Sequence, residues 1–387
     1  MKNNCILLII VILSLLSCKK QNPFVRQEQM NGYTVTHFDI SGQHFAQVPL
    51  KLSELIKNVK VIPLETSKEG VIDASAEYYI GRSFILVFQE ENVLLFDIDG
   101  HFIRTVARQG KAPSEFGEIR DYCVDEEKEL LFVLDKWTSG GLKSFHLKDS
   151  AYLKPIETVV AVNNTVEYLD NGNLLLAPFP YGDVKYYCYQ QTVDGELKSD
   201  LPYRSNRENR PVFKRLTYKV NDELRYLSSE HMLSDDTVFN ISTTQLQPTW
   251  IFHCNTTKHY KVLGETPDYL FFEFNVLKSS DESEAKGGNG TVVALDYDFH
   301  VFCYDKRNGE LEAIEGIQDD LFTGKIWSPQ YDIRMQNGNV LCLTVPAMAL
   351  LQDSEKKAVV KHPEVWQNIM TKLTEEDNPV LIIGDMN

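Results

Sequence analysis

Two groups of charged side chains have the types and spacing to grip a polar ligand. The first is Arg108, Glu115, Glu118 and Arg120, gathered around the segment from Gly110 to Glu118. The second is Arg204, Arg207 and Arg210, inside a stretch from Lys198 to Arg225 that also holds Lys214, Arg215 and Lys219. Guanidinium groups pair bidentately with carboxylate and phosphate, so a basic stretch in an acidic chain suits an anionic sugar or phosphate. Each group has a plainer reading: Glu115 hydrogen-bonds its own loop, and the basic stretch is a solvated loop offsetting nearby acids. Tyr181, Tyr186, Tyr187, Trp250, Trp327 and Tyr331 are aromatic candidates for stacking on sugar faces, although rings in small sheets more often form core.

No catalytic motif accompanies these residues in the sequence. HExxH, GxSxG, the P-loop and the dinucleotide-binding glycine fingerprint are all missing. His253 and His259 are the nearest histidine pair, at a spacing that gives metal binding little support. Asp97-Ile98-Asp99-Gly100 starts like a calcium loop, but its twelfth position is Arg108 rather than Glu, so a hairpin turn is expected. Cys123, Cys188, Cys254, Cys303 and Cys342 sit singly in apolar runs with no CxxC spacing, which reads as buried thiols. No metal and no cofactor is expected.

Such residues need a scaffold, and the composition narrows the choice. With 43% hydrophobic and 24% charged residues, the chain is neither disordered nor a multi-span membrane protein. Its 39 basic and 55 acidic residues give a net charge of −16, which argues against a nucleic-acid binder and against adhesion to anionic lipid by bulk charge. After Tyr33, short β-branched and aromatic runs alternate with Asp, Asn and Gly turns. One set of turns is centred near residues 81, 127, 172, 236 and 338, and a further turn is expected near 287 within the loop from Ser279 to Gly290. A second set, at Phe96 to Gly100, Thr192 to Gly195 and Tyr304 to Gly309, marks outer hairpins. About four strands per period of roughly 40–60 residues predicts an all-β, six-bladed propeller as a single domain over residues 33–387. The alternative is a sandwich or two stacked β domains. Ring closure is expected to join the early strand Val59 to Leu64 with the late strand Val380 to Ile383. Between those two strands, Pro363 to Leu373 carries Val365, Trp366, Ile369, Met370 and Leu373 at helical spacing, which predicts a short C-terminal surface helix.

The runs Leu52-Ser53-Glu54-Leu55, Val61 to Thr66 and Leu94 to Arg104 resemble the six-bladed β-propeller lipoproteins of Gram-negative gut anaerobes. The closing run Asp377 to Ile382 is similar too. Gln109 to Phe116 resembles a loop that this family shares with NHL-repeat propellers, Gly-x-Gly-Pro-Gly-Glu-Phe/Tyr, except that Ala112 and Ser114 stand where glycines are usual. The resemblance implies a propeller at the cell envelope and transfers no catalytic residue. In such a ring, Gly110 to Glu118 would link the outer strand of one blade to the inner strand of the next, on a face where ligands usually bind.

The N-terminus points to the same address. Lys2 precedes an apolar run from Ile6 to Leu16, too short to span a bilayer and ending in Leu15-Leu16-Ser17-Cys18, which resembles a lipobox. Residues 1–17 are therefore expected to be a signal peptide, Cys18 the lipidated residue, and 18–32 a tether. Lys19-Lys20-Gln21-Asn22 lacks an acidic run resembling a surface-export signal, which favours the periplasmic face. The expected role is a non-enzymatic lipoprotein binding a glycan, a peptide or an envelope protein. The alternatives are a lactonase- or lyase-type enzyme, with at least three converging metal ligands at the channel mouth, and a structural subunit of an envelope complex.

Overall fold

The computed structural model describes residues 22–387, apart from 41–44, 137–140, 179–184, 203–216, 221–222, 229–235, 242–244, 254–257, 284–291, 330–332, 337 and 355–362. Six antiparallel sheets make the six blades of a propeller. Blade 1 runs Glu77–Ile80, Phe84–Phe88, Asn92–Asp97, Phe102–Arg108; blade 2 runs Ile119–Asp125, Leu130–Asp135, Gly141–His146, Ile156–Glu157. Blade 3 runs Asn163–Tyr168, Leu174–Pro178, Tyr186–Gln191, Leu197–Pro202, and blade 4 runs Thr217–Val220, Glu223–Ser228, Asp236–Ile241, Leu246–Phe252. Blade 5 runs Lys258–Glu265, Tyr269–Ser283, Val292–Asp305, Glu310–Gln318 and Ile326–Trp327. Second strands such as Phe84–Phe88 and Leu174–Pro178 are buried at every position. This explains their unbroken apolar sequence: both faces press against neighbouring blades.

Blade 6 closes the ring with strands from both ends of the chain. Ile333–Gln336 and Val340–Val345 are followed by Val380–Met386, which pairs with Ile56–Pro63 from the N-terminal side. Asn378 secures the junction, donating Nδ2 to the Glu65 and Gly70 carbonyls at 2.8 and 2.6 Å. Gly100, at φ +93°, turns the outer hairpin of blade 1 so close to this seam that a Cβ would lie 2.4 Å from the Pro63 carbonyl. The helices Ala347–Ser354 and Pro363–Met370 occur between Val345 and Val380, and Trp366, Ile369, Met370 and Leu373 pack on the core shared by blades 5 and 6.

The N-terminal segment is more involved than the sequence suggested. Part of the expected tether is folded, because Val25–Met30 pairs with Tyr33–Phe38, which adds in parallel to the outer strand of blade 4. Val48–Lys51 then adds in parallel to Glu310–Gln318 of blade 5, before Ile56–Pro63 enters blade 6. Phe38 anchors this path, its ring centroid 5.1 Å from Phe252, 5.0 Å from Phe272 and 5.2 Å from Tyr304. Among the described residues, no helix is long and apolar enough to cross a membrane.

Two turn positions also differ from expectation. Asp236 opens the third strand of blade 4, and the inner turn lies between Val220 and Glu223. In blade 5 the inner turn is at Thr266, whose Oγ1 accepts from the Tyr269 amide at 2.9 Å, rather than near 287. Acidic, Ser and Gly residues mark hairpin ends on either face of a propeller, so composition did not separate inner turns from the opposite tips. The spare length lies instead in the long hairpin of blade 5 and the helical segment of blade 6.

Candidate functional site

The first strands of all six blades surround a cavity of about 340 Å³ on the propeller axis. This is near the lower end of ligand-site volumes, about 300–1,000 Å³. Alternation along these strands sends side chains toward one neighbouring blade or the other, which spaces tyrosines and charged groups around the wall. Tyr79 donates its hydroxyl to Glu126 of blade 2 at 2.8 Å, and Tyr218 donates to Glu265 of blade 5, also at 2.8 Å. Lys219 Nζ donates to the Tyr168 carbonyl at 2.6 Å. The Gln336 amide donates to and accepts from the backbone of Ile80, at 2.7 Å each way, tying blade 6 to blade 1. Burial, followed by the Glu126 charge, holds the Tyr79 phenol well above its ordinary pKa, and burial does the same for Tyr218. Both stay neutral donors at physiological pH. Glu77 and Arg334 are the exposed charged groups of the lining.

One wall of the cavity is a buried ionic knot. Glu265 is 2% exposed and accepts from Tyr218, from Trp250 Nε1 at 3.1 Å, from Lys306 Nζ at 2.7 Å and from Arg225 Nη2 at 3.3 Å. Burial pushes its carboxyl up, but Lys306 and Arg225 together draw it below the ordinary glutamate value. Burial lowers Lys306, and Glu265 offsets only part of that.

The loop from Gly110 to Glu118 joins blades 1 and 2 as expected, and its groups face different ways. Glu115 Oε2 accepts from the Ala112 amide at 2.9 Å, and a Cβ on Gly110 would lie 1.9 Å from that oxygen. The glycine is there to let the carboxylate close the loop. Phe116 is fully buried, and Lys143 donates to the Glu115 carbonyl. Neither Ala112 nor Ser114 has positive φ, so alanine and serine replace the family's glycines without backbone strain. Arg108 is exposed, with Nη2 3.3 Å from Thr105 Oγ1. Glu118 pairs with Lys136 at 2.6 Å, and Glu118 and Arg120 line a groove between blades 1 and 2 with Glu77, Gln89 and Glu90. The structure thus brings Glu118 and Arg120 together and leaves Glu115 and Arg108 outside that groove.

Arg204, Arg207 and Arg210 lie outside the described residues, as do Tyr181 and Tyr331. Of the surrounding basic stretch, Leu197–Pro202, Thr217–Val220 and Glu223–Ser228 are blade strands, and Arg225 belongs to the buried knot. Trp250 and Trp327 are buried, at 7% and 4% exposure, and Tyr186 and Tyr187 are half-buried. Asp97 caps its own turn, Oδ1 accepting from the Asp99 and His101 amides at 3.0 and 2.9 Å. His253 Nε2 lies 3.1 Å from Nδ1 of His37. Cys123, Cys188, Cys303 and Cys342 are buried thiols, with burial pushing Cys188 and Cys342 up to about 12, while Cys254 lies outside the described residues. Among the described residues, no three His, Cys, Asp or Glu side chains gather in a way that could hold a metal ion. The tyrosine-rich axial wall was missed in the sequence, although Tyr78, Tyr79, Tyr122 and Tyr168 each fall in an inner strand just before a recognised turn.

A family described as a domain of unknown function, DUF4934, matches residues 35–385. The chain belongs to it. A crystal structure of a Bacteroides fragilis NCTC 9343 protein described as exported shares the DUF4934 chain's fold, at TM-score 0.61 and 14% identity over 89% of this chain and 99% of that one. Hydrazine synthase of Kuenenia stuttgartiensis is more distant, at TM-score 0.41 and 12% identity over 83% and 88% of the two chains. The WD40 propeller domain of Doa1 scores 0.36, at 14% identity over 87% and 97%. No curated protein matches this DUF4934 chain.

Proposed function

We propose that this protein is a lipid-anchored binding module of the bacterial envelope, exposed on the periplasmic face, whose axial cavity takes a small hydrophilic ligand such as a glycan fragment or the end of a peptide. The observation that carries the reading is the cavity wall, where tyrosine, Gln336, Glu77, Lys219 and Arg334 offer donors and acceptors at one place contributed by all six blades. A few fixed polar groups in a concave, preformed site give orientation and selectivity. Similarity to a protein described as exported supports the address.

Glu77 and Arg334 are exposed, so truncating them should leave folding intact. Soluble protein spanning residues 19–387 is to be screened by thermal shift against neutral and acidic oligosaccharides and short peptides. A ligand of the cavity should raise Tm and lose at least tenfold in affinity in the Glu77→Ala, Arg334→Ala double variant, a modest effect for two hydrogen-bonding groups. Full affinity in that variant for every ligand found removes the cavity from the account.

The anchor is tested separately in cells. Cys18→Ser should abolish incorporation of labelled fatty acid and move the protein from the membrane to the soluble fraction, because stable anchoring needs acyl chains at that residue. Unchanged labelling in the variant would place the lipid elsewhere, and no labelling of the parent protein would remove it.

A further inference from the structure

The axial cavity does not end at the inner strands. The groove between blades 1 and 2, about 630 Å³, shares Glu77 and Tyr122 with its wall. The groove therefore opens onto the axis at that corner, and a chain-like ligand lying in it reaches the axial cavity with its end. Tyr122 stacks on the buried Phe88 with ring centroids 3.6 Å apart and offers an apolar surface there.

Most charges in these walls are neutralised within the fold. In the groove, Glu118 pairs with Lys136, and Asp121 accepts from Thr165 Oγ1 at 2.6 Å and from the Val166 amide at 2.9 Å. Arg120 and the buried Glu167 have contacts of their own, and Glu265 is held by Lys306 and Arg225. Four groups remain without a counter-ion among the described residues: Glu77 and Glu90 in the groove, and Arg334 and Lys219 around the axis. Lys219 uses one donor on the Tyr168 carbonyl and pairs with no carboxylate.

These four are sorted by sign along the axis. Glu77, Arg334 and Lys219 are the first, second and third residues of the four-residue inner strands Glu77–Ile80, Ile333–Gln336 and Thr217–Val220. Inner strands of successive blades run the same way, so the cations stand about 3 and 7 Å deeper than Glu77 at about 3.3 Å per residue. A ligand that leads with an anion and carries a cation behind it matches this order, and a neutral sugar chain answers neither sign.

We propose that the groove and the axial cavity together receive the C-terminal end of a basic peptide, its terminal carboxylate against Arg334 and Lys219 and an upstream lysine or arginine side chain against Glu77 and Glu90. This rests on the reading of the axial cavity as a binding site and names what that site selects. Guanidinium pairs strongly with carboxylate, and the alkyl stem of the basic side chain covers the Tyr122 ring while its charge stays with the carboxylates.

The probes are fluorescent hexapeptides of glycine and alanine with one lysine at the second or third position from a free C-terminus. Each is compared with its C-terminal amide and with its glutamine counterpart. The best acid should bind at least tenfold tighter than either. Arg334→Gln should bring acid and amide within twofold of each other while the lysine preference persists, and Arg334→Lys should keep the acid preference. Glu77→Gln with Glu90→Gln should do the reverse, abolishing the lysine preference and sparing that for the acid. Such crossed losses report contact rather than folding, since a misfolded variant loses every peptide alike. Equal binding of acid and amide, or a lysine preference that survives Glu77→Gln with Glu90→Gln, would overturn the proposal. So would peptides silent at 1 mM beside an oligosaccharide whose binding falls in Glu77→Ala, Arg334→Ala, a result that leaves the axial site standing. Absence of any ligand sensitive to that double variant overturns both readings.

Discussion

Leu381→Asp should abolish cooperative folding. Leu381 is fully buried in the middle of the closing strand, directly opposite Thr344 on one side and Ile62 on the other. Its side chain belongs to the core shared by blades 6 and 1, with Ile62, Leu94 and Phe96. Removing the leucine side chain alone costs about 2–5 kcal/mol. A carboxylate at the same place finds no cation in that cluster and adds several kcal/mol, or takes up a proton at a comparable cost. The sum is of the order of the whole stability of a domain, about 5–15 kcal/mol. Far-UV circular dichroism with limited proteolysis should show a protein without a melting transition. Leu381→Met, which conserves volume, should cost less than about 1.5 kcal/mol and separates charge from shape. A chain beginning at Glu65 should fail in the same way, because it lacks the strand Ile56–Pro63 that pairs with Val380–Met386. If Leu381→Asp melts within a few degrees of the parent protein, ring closure does not depend on this seam.

The closing seam was legible because both of its strands are short apolar runs next to turn residues, and a ring must leave no open edges. The same logic failed for residues 25–51. Tyr-Thr-Val-Thr-His-Phe has the alternation of a strand, but four strands per blade left it no slot, and only tertiary contact reveals a blade with extra strands. The loop at Gly110 was legible as a connection and not as a site. Glu115 and Gly110 are complementary to each other, which from spacing alone looks the same as complementarity to a ligand. The axial wall was illegible for a different reason. Its residues are contributed one or two at a time by strands far apart in sequence, so no local pattern announces them. Glu265 shows this most sharply: its partners are 40 residues before it, 41 after it, and at Tyr218 and Trp250.

That knot gives the second large expectation. In Glu265→Ala, Arg225 and Lys306 keep their positions between blades 4 and 5; Arg225 retains Glu223 at 2.6 Å, whereas Lys306 loses the carboxylate that neutralises it. Breaking a buried pair by removing one partner costs about 3–5 kcal/mol, because a charge is left desolvated and uncompensated. Tyr218 and Trp250 each lose an acceptor at the same time, and an orphaned buried donor costs about 1–3 kcal/mol. Urea unfolding should therefore show a midpoint lowered by several kcal/mol equivalent with little change in slope. The pH dependence identifies the cause. Glu265 is held below its ordinary pKa in the folded protein, so its contribution is fully present above the unfolded value, about 4.3, and drains away as pH falls from there through the folded value. Glu265→Gln should be less stable than the parent at pH 7 and should approach it as pH falls below about 4. Lys306 is lowered by burial, so part of the deficit in Glu265→Ala should also recover at alkaline pH, where that ammonium loses its proton. Replacing Glu265 by Leu together with Lys306 and Arg225 by Met should restore most of the stability, since apolar substitutes for a buried ionic triad are often neutral or stabilising. A Glu265→Ala protein that loses less than about 1 kcal/mol, or whose deficit stays constant from pH 3 to pH 7, would mean that the knot is solvated in solution and that blades 4 and 5 are held by the Phe38, Phe252 and Phe272 packing alone.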